Sequence, residues 1–409
     1  MTHKLYKLFA LKSSLNKEKS VVFIVTLASV LESVICIIFI PSIPAIAHSY
    51  NITIQEAESN FTWYNVGLFL SAPVYGVLGE FFGRRLMMII GGLLLFLASL
   101  STIFTFHAHE FFISRFLQGF GACAAGAVGW AAIQDIFDLK KSALIMSIMG
   151  AIIMVIPLSA PLLGGYIDSI YGWEMIKKII IFLSFFYIAS VFFIFPETKK
   201  KGKSLPNQKK FINDLIKYFL IIKNRKFMKN SLLFPLSYFC EWLFISFFTY
   251  NYYIFQNNDP KLIGIYFSIL ILFYVFGAFV TTYRLKRSSI YSIIKLSLNI
   301  MLFISLLRVG NDIIFNFQIL SSLIFQAVFM MGSGMLFGPS SSLALKSVLN
   351  SAAAASSIRT FLLMLGGALG AWVGSIICSM PILIFSLLVL IITISMKFFY
   401  FYTEIPENF

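Results

Sequence analysis

The sequence predicts an all-α integral membrane protein of about twelve transmembrane helices in two six-helix bundles. Of its 409 residues, 59% are hydrophobic and only 12% are charged, whereas soluble domains are about 45–50% apolar and about 25% charged. The apolar residues form successive runs of about 20, the length that crosses the hydrocarbon core of a bilayer. A long basic segment near the middle of the chain separates two groups of six such runs.

Each apolar run is bounded by a short polar segment, which marks where a helix leaves the bilayer. We expect membrane spans at 21–46, 60–80, 86–106, 109–135, 142–167, 174–195, 230–255, 261–282, 289–309, 315–343, 353–377 and 380–402. The gaps at 106–110 and 378–381 are short, so a count of eleven spans is the main alternative.

Lysine and arginine residues are concentrated on one side of these spans. They precede span 1 and follow spans 2, 4, 6 and 8, with eleven of them from Lys199 to Lys229. The opposite loops hold acids and few bases, with Lys177 and Lys178 as exceptions. Basic loops remain in the cytoplasm, so we expect both termini there. The Lys-, Ile- and Phe-rich composition indicates a bacterial inner membrane.

The net charge of +15 follows this loop pattern, which favours contact with anionic membrane lipid and disfavours nucleic acid as a partner. The predicted organisation is a cytoplasmic N-terminal segment, a six-helix bundle, a basic cytoplasmic linker with a surface helix near 211–222, a second six-helix bundle and a cytoplasmic tail. The corresponding ranges are 1–20, 21–196, 197–229, 230–403 and 404–409.

Two echoes between the halves indicate internal duplication. Gly76–Arg85 follows span 2 as Gly277–Arg287 follows span 8, and Gly119 and Gly121 in span 4 match a glycine pair, 332 and 334, in span 10. Two bundles of this kind typically move about a central site.

No catalytic chemistry is evident in the sequence. The cysteines lie inside apolar runs without a CxxC pair, so we expect small apolar core residues. No segment resembles a nucleotide-binding loop, a zinc motif or a catalytic triad, so we expect no enzyme activity, metal or organic cofactor. The cysteines are Cys36, Cys123, Cys240 and Cys378.

The segment GVLGEFFGRR after span 2 resembles the signature loop between helices 2 and 3 of the major facilitator superfamily of transporters. The family usually has aspartate at the position of Glu80, and the charge is kept. The arginines would cap helix carbonyls and bridge to acids on the other bundle, whereas the alternative is a basic membrane anchor with incidental glycines. We expect this loop to gate the cytoplasmic side through Gly76, Glu80, Gly83, Arg84 and Arg85.

Span 4 contains RFLQGFGA at 115–122, which resembles the helix-4 motif of the same family. An arginine inside a membrane helix is costly and normally faces a cavity or a carboxylate. We expect Arg115 to hydrogen-bond with Gln118 and to influence a nearby proton site. The alternative is an arginine that reaches back to the membrane interface near Glu110.

Span 5 contains PLSAPLLGG at 157–165, which resembles the exporter motif of the superfamily, associated with drug–proton antiporters. Its prolines bend the helix and its glycines permit close packing. One departure is alanine where the motif usually has glycine before the second proline, and a generic kinked helix is the alternative. The motif residues are Pro157, Ala160, Pro161, Gly164 and Gly165.

Two further stretches resemble the Bcr/CflA-type drug:proton antiporters within the superfamily. FIPSIP at 39–44 is similar to the end of helix 1 in that subfamily, and LFGPSSSLA at 336–344 with the glycines at 366–370 is similar to its helices 10 and 11. The subfamily commonly has an acid where this chain has Ile37. Its usual helix-1 proton site is therefore in doubt.

Two other acids lie within predicted spans, Glu32 in span 1 and Glu241 in span 7. The family resemblance makes these helices symmetry-related and cavity-lining. A carboxyl group in a low-dielectric surrounding favours its neutral form and can carry a proton. We expect at least one of them to couple transport to protons, and the alternative is a structural acid paired with a basic or amide group.

Aromatic residues are abundant, and we expect most of them to pack or to face lipid. A minority would line a cavity suited to amphipathic or cationic molecules. The candidates for the cavity wall are Trp63, Tyr64, Gln118, Trp242, Phe247, Tyr250 and Tyr253.

The resemblance implies a secondary active transporter, and we expect proton-coupled export of small organic or drug-like molecules by alternating access. Protons would be the coupling ion, the partners would be a small-molecule substrate and membrane lipid, and the chain would act as a monomer. The main alternative is a proton-coupled symporter that imports a metabolite. A membrane enzyme or a receptor is a third, less favoured class.

Overall fold

The computed structural model describes residues 2–137, 145, 149, 152, 159–199, 220–255, 259–285, 287–315, 318–348 and 352–402. The described residues are predominantly helical. The helices are α1 Thr2–Ile37, α2 Ile43–Tyr50, α3 Ile54–Phe82, α4 Arg84–Ser101, α5 Ala108–Ala124, α6 Trp130–Ile136, α7 Ser159–Tyr171, α8 Glu174–Ile194, α9 Arg225–Phe255, α10 Pro260–Arg284, α11 Ile290–Ile314, α12 Ile319–Lys346, α13 Ala352–Ile377 and α14 Ile382–Tyr402.

Within the described part of the chain, eleven helical segments are long and apolar enough to cross a membrane. They correspond to the predicted spans other than the fifth. Most of that span, 142–167, lies outside the described residues, and α7 continues it. Residues 2–20, which fall in the predicted cytoplasmic N-terminal segment, belong to α1. Most of the predicted linker helix near 211–222 also lies outside the described residues.

The first span consists of two helices because prolines interrupt it. Helix α1 ends at Ile37, a single turn of 3₁₀ helix follows at 40–42, and α2 begins at Ile43. Pro41 and Pro44 occupy early positions of these two elements. Proline has no backbone N–H, so it is tolerated at a helix start and disrupts a helix interior.

Each bundle contains a helix crossing at which two glycines allow the backbones to touch. At each glycine a carbonyl oxygen of the facing helix occupies the place of a Cβ. The close contacts are Gly67–Phe116 and Gly119–Tyr64 between α3 and α5, and Gly277–Met331 and Gly334–Tyr274 between α10 and α12.

The two crossings have the same packing, which relates the two halves of the chain. The residues that correspond by packing differ from those that the sequence echoes align. By packing partner, Gly277 corresponds to Gly67, not to Gly76. Likewise Gly334 corresponds to Gly119. A short sequence echo matches local composition, whereas the register is determined by which residues meet the neighbouring helix.

We call the face with residues 50–54, 101–108, 171–174, 255 and 259–260 the distal face, and the other face, where α1 begins, the proximal face. The bundles meet toward the distal face. There the carbonyl oxygen of Pro260 on α10 lies against Gly165 on α7, and that of Pro161 lies against Gly264. Small residues let membrane helices approach closely, so this contact seals the bundles together.

Candidate functional site

A cavity of about 440 Å³ lies between the two bundles. Its walls come from α1, α3 and the turn after α5 on one side, and from α9, α10, α12 and α13 on the other. The volume is within the range of about 300–1,000 Å³ that is typical of small-molecule sites. Its aromatic lining residues are Trp130, Phe234, Tyr238, Trp242, Phe244, Phe267, Tyr274 and Phe337.

Glu32 faces this cavity from α1, together with Ser29, Ser33 and Cys36. Its carboxylate lies beside Gly126 in a π-helical turn, Ala125–Gly129. In the described part of the chain no side chain donates a hydrogen bond to this carboxylate. Glu32 therefore presents an acid to the cavity that is free to bind a proton or a substrate group.

Glu241 lines the same cavity from α9 and is only 6% exposed. The hydroxyl of Ser333 on α12 donates a hydrogen bond to the Glu241 carboxylate. Ser237 in turn donates to the Ser333 hydroxyl at 2.5 Å. Glu241 thus has a built-in donor that Glu32 lacks, so the two acids are chemically distinct although they share one cavity.

Arg359 adds a positive charge to the cavity wall from α13. Its guanidinium donates to the Ser341 hydroxyl on α12. Among the described residues no carboxylate forms an ion pair with it. Since guanidinium carries five N–H donors, Arg359 has donors available for a molecule in the cavity.

Two amide side chains on opposite walls have unused hydrogen-bonding atoms. The Asn65 oxygen on α3 and the Gln326 nitrogen on α12 are buried, and no described residue bonds to either atom. Both residues line the cavity. Buried polar groups are nearly always paired, so these atoms are suited to binding a polar group of a ligand.

Arg115 lies behind the cavity wall and is fully buried. Its Nε donates to Asn60 at 2.5 Å, its Nη1 to Gln118 at 2.8 Å and its Nη2 to the Ile35 carbonyl at 3.1 Å. The guanidinium also packs on the Tyr64 ring, 4.4 Å from its centre. The predicted bond to Gln118 is present, and Arg115 does not reach back toward Glu110. It joins α1, α3 and α5.

The loop between α3 and α4 is held by ionic contacts at the proximal face. Arg84 pairs with Glu80 at 2.5 Å and with Asp135 at 2.9 Å. Glu197 accepts hydrogen bonds from the backbone N–H groups of Arg84 at 3.0 Å and Arg85 at 3.2 Å. A carboxylate at a helix start complements the helix dipole.

These contacts correct one expectation about the loop. Asp135 belongs to the same bundle and Glu197 follows the last helix of that bundle, so neither acid comes from the other bundle. Arg85 caps a helix carbonyl as predicted, at Phe192, over 2.8 Å. Gly83 has a φ of +96°, and the Glu197 carboxylate lies where a side chain would be. Gly76 lies half-buried within α3.

The described part of the span-5 motif faces both bundles. Gly164 lies against the Ile38 carbonyl at the end of span 1, and Gly165 lies against Pro260 of the second bundle. Ala160 is buried. Pro157 lies outside the described residues. The motif therefore lies at the distal contact between the bundles and not in the cavity wall.

A family model described as Major Facilitator Superfamily matches residues 22–371. This chain belongs to the major facilitator superfamily. The two-bundle helical fold predicted from the sequence is that of this family, and membership makes the chain a membrane transporter by family.

Curated relatives confirm the resemblance to drug transporters. The chain is 29% identical over 215 residues to a bicyclomycin resistance protein homolog of Haemophilus influenzae, covering 52% of this chain and 53% of the relative. It is 27% identical over 208 residues to the multidrug resistance protein MdtM of Escherichia coli K12, covering 50% of each. The chain spans about half the length of the curated relatives it matches.

Solved structures share the fold of this family member at low sequence identity. A D-xylose–proton symporter has a TM-score of 0.71 at 13% identity, covering 94% of this chain and 98% of that one. The Escherichia coli xylose transporter XylE, in a partially occluded inward-open conformation, has a TM-score of 0.72 at 13% identity, covering 96% and 100%. These similarities concern the fold alone.

The cavity of this transporter is lined by only some of the residues that the sequence predicted for it. Trp242 does. Trp63 is 44% exposed and contacts Phe116 at the outer surface of the bundle, so its assignment to the cavity is wrong. Tyr64 is buried and donates to the Glu32 carbonyl at 2.8 Å.

The remaining candidates also lie outside the cavity lining. Gln118 is buried and donates to Ser99 at 3.1 Å. Phe247 stacks on Phe385 at 4.6 Å inside the second bundle. Tyr250 and Tyr253 are half-buried residues near the distal end of α9. None of these four side chains lines the cavity, so their assignment to its wall is not supported.

Several site residues went unnoticed in the sequence. Arg359 lies within an apolar helix, where an arginine is by default a functional candidate, so a signal was present. Outside the cavity lining, Arg308 and Asp312 form a buried ion pair at 3.5 Å in α11 that the same rule would have found. Ser333, Asn65 and Gln326 give no such signal, since small polar residues occur throughout membrane helices.

Proposed function

We propose that this chain is a secondary active transporter that exports small amphipathic organic molecules in exchange for protons. The observation that carries the proposal is a cavity between the bundles that is lined by one acid from each bundle, Glu32 and Glu241. Neutral carboxyl groups are favoured in a low-dielectric wall. Both acids can therefore hold a proton when the cavity is without substrate and lose it when substrate binds.

The wall chemistry supports an amphipathic substrate. Aromatic rings surround most of the cavity and provide apolar and cation–π contact. Arg359, Asn65 and Gln326 offer polar contacts at separate points of the wall. Such a site binds by shape and a few polar contacts, which fits a broad range of organic molecules.

The contact between the bundles supports alternating access. The distal face is closed by the Gly165 and Gly264 contacts, and Phe61 on α3 packs against Trp242 on α9 at 5.4 Å. Rocking of the bundles about the cavity would break these contacts and open that face. The direction of export follows from the span-5 resemblance to exporters and from the resistance and multidrug names of the relatives.

Placement in the membrane is part of the proposal. The proximal face carries the basic loops, so we assign it and both termini to the cytoplasm of a bacterial cell. The distal face then opens outward. The protein would act in the inner membrane as a monomer, since both walls of the cavity belong to one chain. Protons are the proposed coupling ion, and no other cofactor is required.

Inside-out vesicles with an acidic lumen test the proposal. Fluorescent dyes and antibiotics would be added outside, with a pH-sensitive dye in the lumen. Export by exchange predicts that a substrate accumulates in the lumen while the lumen becomes more alkaline, and that a protonophore abolishes accumulation. Accumulation without proton movement would contradict exchange. Proton movement that accompanies substrate leaving the lumen would indicate symport instead.

A further inference from the structure

A third buried acid, Glu58 on α3, lies outside the cavity wall described above. Its side chain is 0% exposed. Neither carboxylate oxygen makes a well-formed hydrogen bond among the residues that the structure describes, and the Ser246 hydroxyl is the donor that faces the group. A charge buried with so little hydrogen bonding is costly, so this environment suits the neutral acid better than the carboxylate.

The burial of Glu58 depends on the other bundle. Ser246 on α9 faces its carboxyl group, and Cys378 at the end of α13 lies next to it. Three residues along α3, Phe61 packs on Trp242 of α9. Glu58 thus belongs to the first bundle but is enclosed by the second, on the side where the bundles are closed.

Among the described residues no charged group pairs with Glu58, and Arg115 on the neighbouring α5 donates to other acceptors. The Cys378 thiol, just after α13, is the titratable group beside Glu58 on that side. Helix α9 contributes the Ser246 hydroxyl, which lies 3.5 Å from the Ala371 carbonyl oxygen. On α2, His48 is exposed and the Tyr50 hydroxyl bonds to Thr105 at 2.6 Å. Within the described residues no basic side chain forms an ion pair with Glu58.

We propose that Glu58 is a second proton-binding site, separate from the exchange cavity, which holds a proton while the distal face is closed. Separation of the bundles would admit water to the carboxyl group and let it ionise. Closure would then require that it bind a proton again. Because a proton bound in only one state links that state to pH, acid favours the closed distal face and alkali favours the open one.

This inference rests on the alternating access of the proposed function, but not on substrate identity or on Glu32 and Glu241. It predicts that the distal face responds to pH even when no substrate is present. It also assigns the response to a residue that does not line the cavity, so the two sites are separable by mutation.

The test measures the distance across the distal face in purified protein. Spin labels would be placed at His109→Cys on α5 and Leu320→Cys on α12, both exposed positions at that face. The four native cysteines would be replaced, which also removes the thiol of Cys378 beside Glu58. Distance distributions would be recorded without substrate at mildly acidic and mildly alkaline pH.

We expect the fraction of molecules with an open distal face to increase at alkaline pH in the parent protein. In Glu58→Gln this increase should be absent. Glu58→Asp should keep it. The matched control is Glu56→Gln. Glu56 is an exposed acid two residues away that caps the start of α3 together with Thr53. Glutamine also fulfils this capping role. An unchanged melting temperature in Glu58→Gln would show that the variant is folded.

Three results would overturn the proposal in distinguishable ways. A pH-dependent opening that persists unchanged in Glu58→Gln would remove Glu58 from the mechanism and leave exchange transport intact. A parent protein whose distal face never opens, with or without a transported compound, would contradict both this inference and alternating access. Equal loss of the response in Glu56→Gln would show a general effect of the helix end and also contradict the proposal.

Discussion

The hydroxyl of Ser333 on α12 donates a hydrogen bond to the carboxylate of Glu241 on α9, and both side chains are buried. A donor of this kind stabilises the ionised form of the acid. It is the feature that most clearly separates Glu241 from Glu32. Removing it tests whether Glu241 exchanges protons during transport.

Ser333→Ala should change the pH profile of transport. The variant removes the hydroxyl that bonds to the Glu241 carboxylate, so an acid that exchanges protons during transport should respond to pH differently. A hydrogen bond to a charged group contributes about 1.5–3 kcal/mol, which corresponds to a change of about tenfold or more in an equilibrium. The measurement is the initial rate of substrate-driven proton flux against pH.

The control for that variant is Ser297→Ala. Ser297 is also buried and donates to the Gly332 carbonyl at 2.6 Å, next to Ser333, without touching an acid. Its profile should match that of the parent protein. Identical profiles for Ser333→Ala and the parent would exclude Glu241 from the titration that controls transport.

Arg115→Lys should lower the melting temperature and abolish transport. The guanidinium donates to three separate acceptors in α1, α3 and α5, and a lysine ammonium does not reproduce that planar fork. Each buried acceptor left unpaired costs about 1–3 kcal/mol. Thermal unfolding in detergent and transport in liposomes would both be measured.

Arg85→Lys provides the comparison, because Arg85 is exposed and its guanidinium donates to the Phe192 carbonyl. It should change the melting temperature much less than Arg115→Lys does. If both variants melt together with the parent protein, the network around Arg115 contributes little to stability.

Gly165→Leu should hold the distal face open. The Pro260 carbonyl oxygen occupies the position that a side chain would need, so the bundles would be forced apart where they now touch. A cysteine introduced at the distal face, such as His109→Cys, should be labelled more by a membrane-impermeant reagent. Transport should cease. Gly310→Leu is the control, since no atom lies within 4 Å of a Cβ at that exposed position. Unchanged labelling in Gly165→Leu would contradict the assigned seal.

Arg359→Gln should reduce the preference for anionic substrates. Binding would be compared for pairs of compounds that carry either a carboxylate or its methyl ester. Loss of a charged hydrogen bond of about 1.5 kcal/mol weakens binding about tenfold, so the acid should lose about tenfold in affinity and its ester very little. Arg287→Gln, at an exposed position outside the cavity, should alter neither. Equal weakening of acid and ester would refute a direct contact.

Gly83→Ala should destabilise the protein, whereas Gly76→Ala should not. Gly83 has φ +96° and ψ 159°, a conformation that is essentially restricted to glycine, and the Glu197 carboxylate lies against it. Strain of this kind costs about 1–3 kcal/mol. Gly76 lies inside α3, where alanine is the better helix former. Melting temperatures that fall equally in the two variants would contradict this distinction.

The position of each membrane-spanning helix along the chain was predictable. Whether a given side chain points to lipid, to the protein interior or to the cavity was not. Helix α8 spans Glu174–Ile194, close to the predicted 174–195, because the length of an apolar run determines a crossing. Trp63 and Tyr64 are consecutive, yet the first is 44% exposed and the second is fully buried. Aromatic side chains suit both lipid and protein, so hydropathy does not distinguish these environments.

Charges were predictable where their partners are near in sequence. Lys177 is an exception to the charge asymmetry, and the structure pairs it with Glu174, three residues earlier, at 3.1 Å. It also lies 4.0 Å from the centre of the Trp173 ring. Helical spacing makes such a pair foreseeable. Glu58, by contrast, falls within a polar stretch, and the residues beside it include Ser246 and Cys378 of the second bundle, far away in sequence.

The most direct test of the account measures proton flux in liposomes that contain the purified protein. A transported compound would be added under an imposed pH gradient to the parent protein, to Glu32→Gln and to Glu241→Gln. We predict that the parent moves protons against substrate and that at least one variant, still folded, binds substrate but moves no protons. Unchanged proton flux in both variants would contradict the assignment of the coupling site to this cavity.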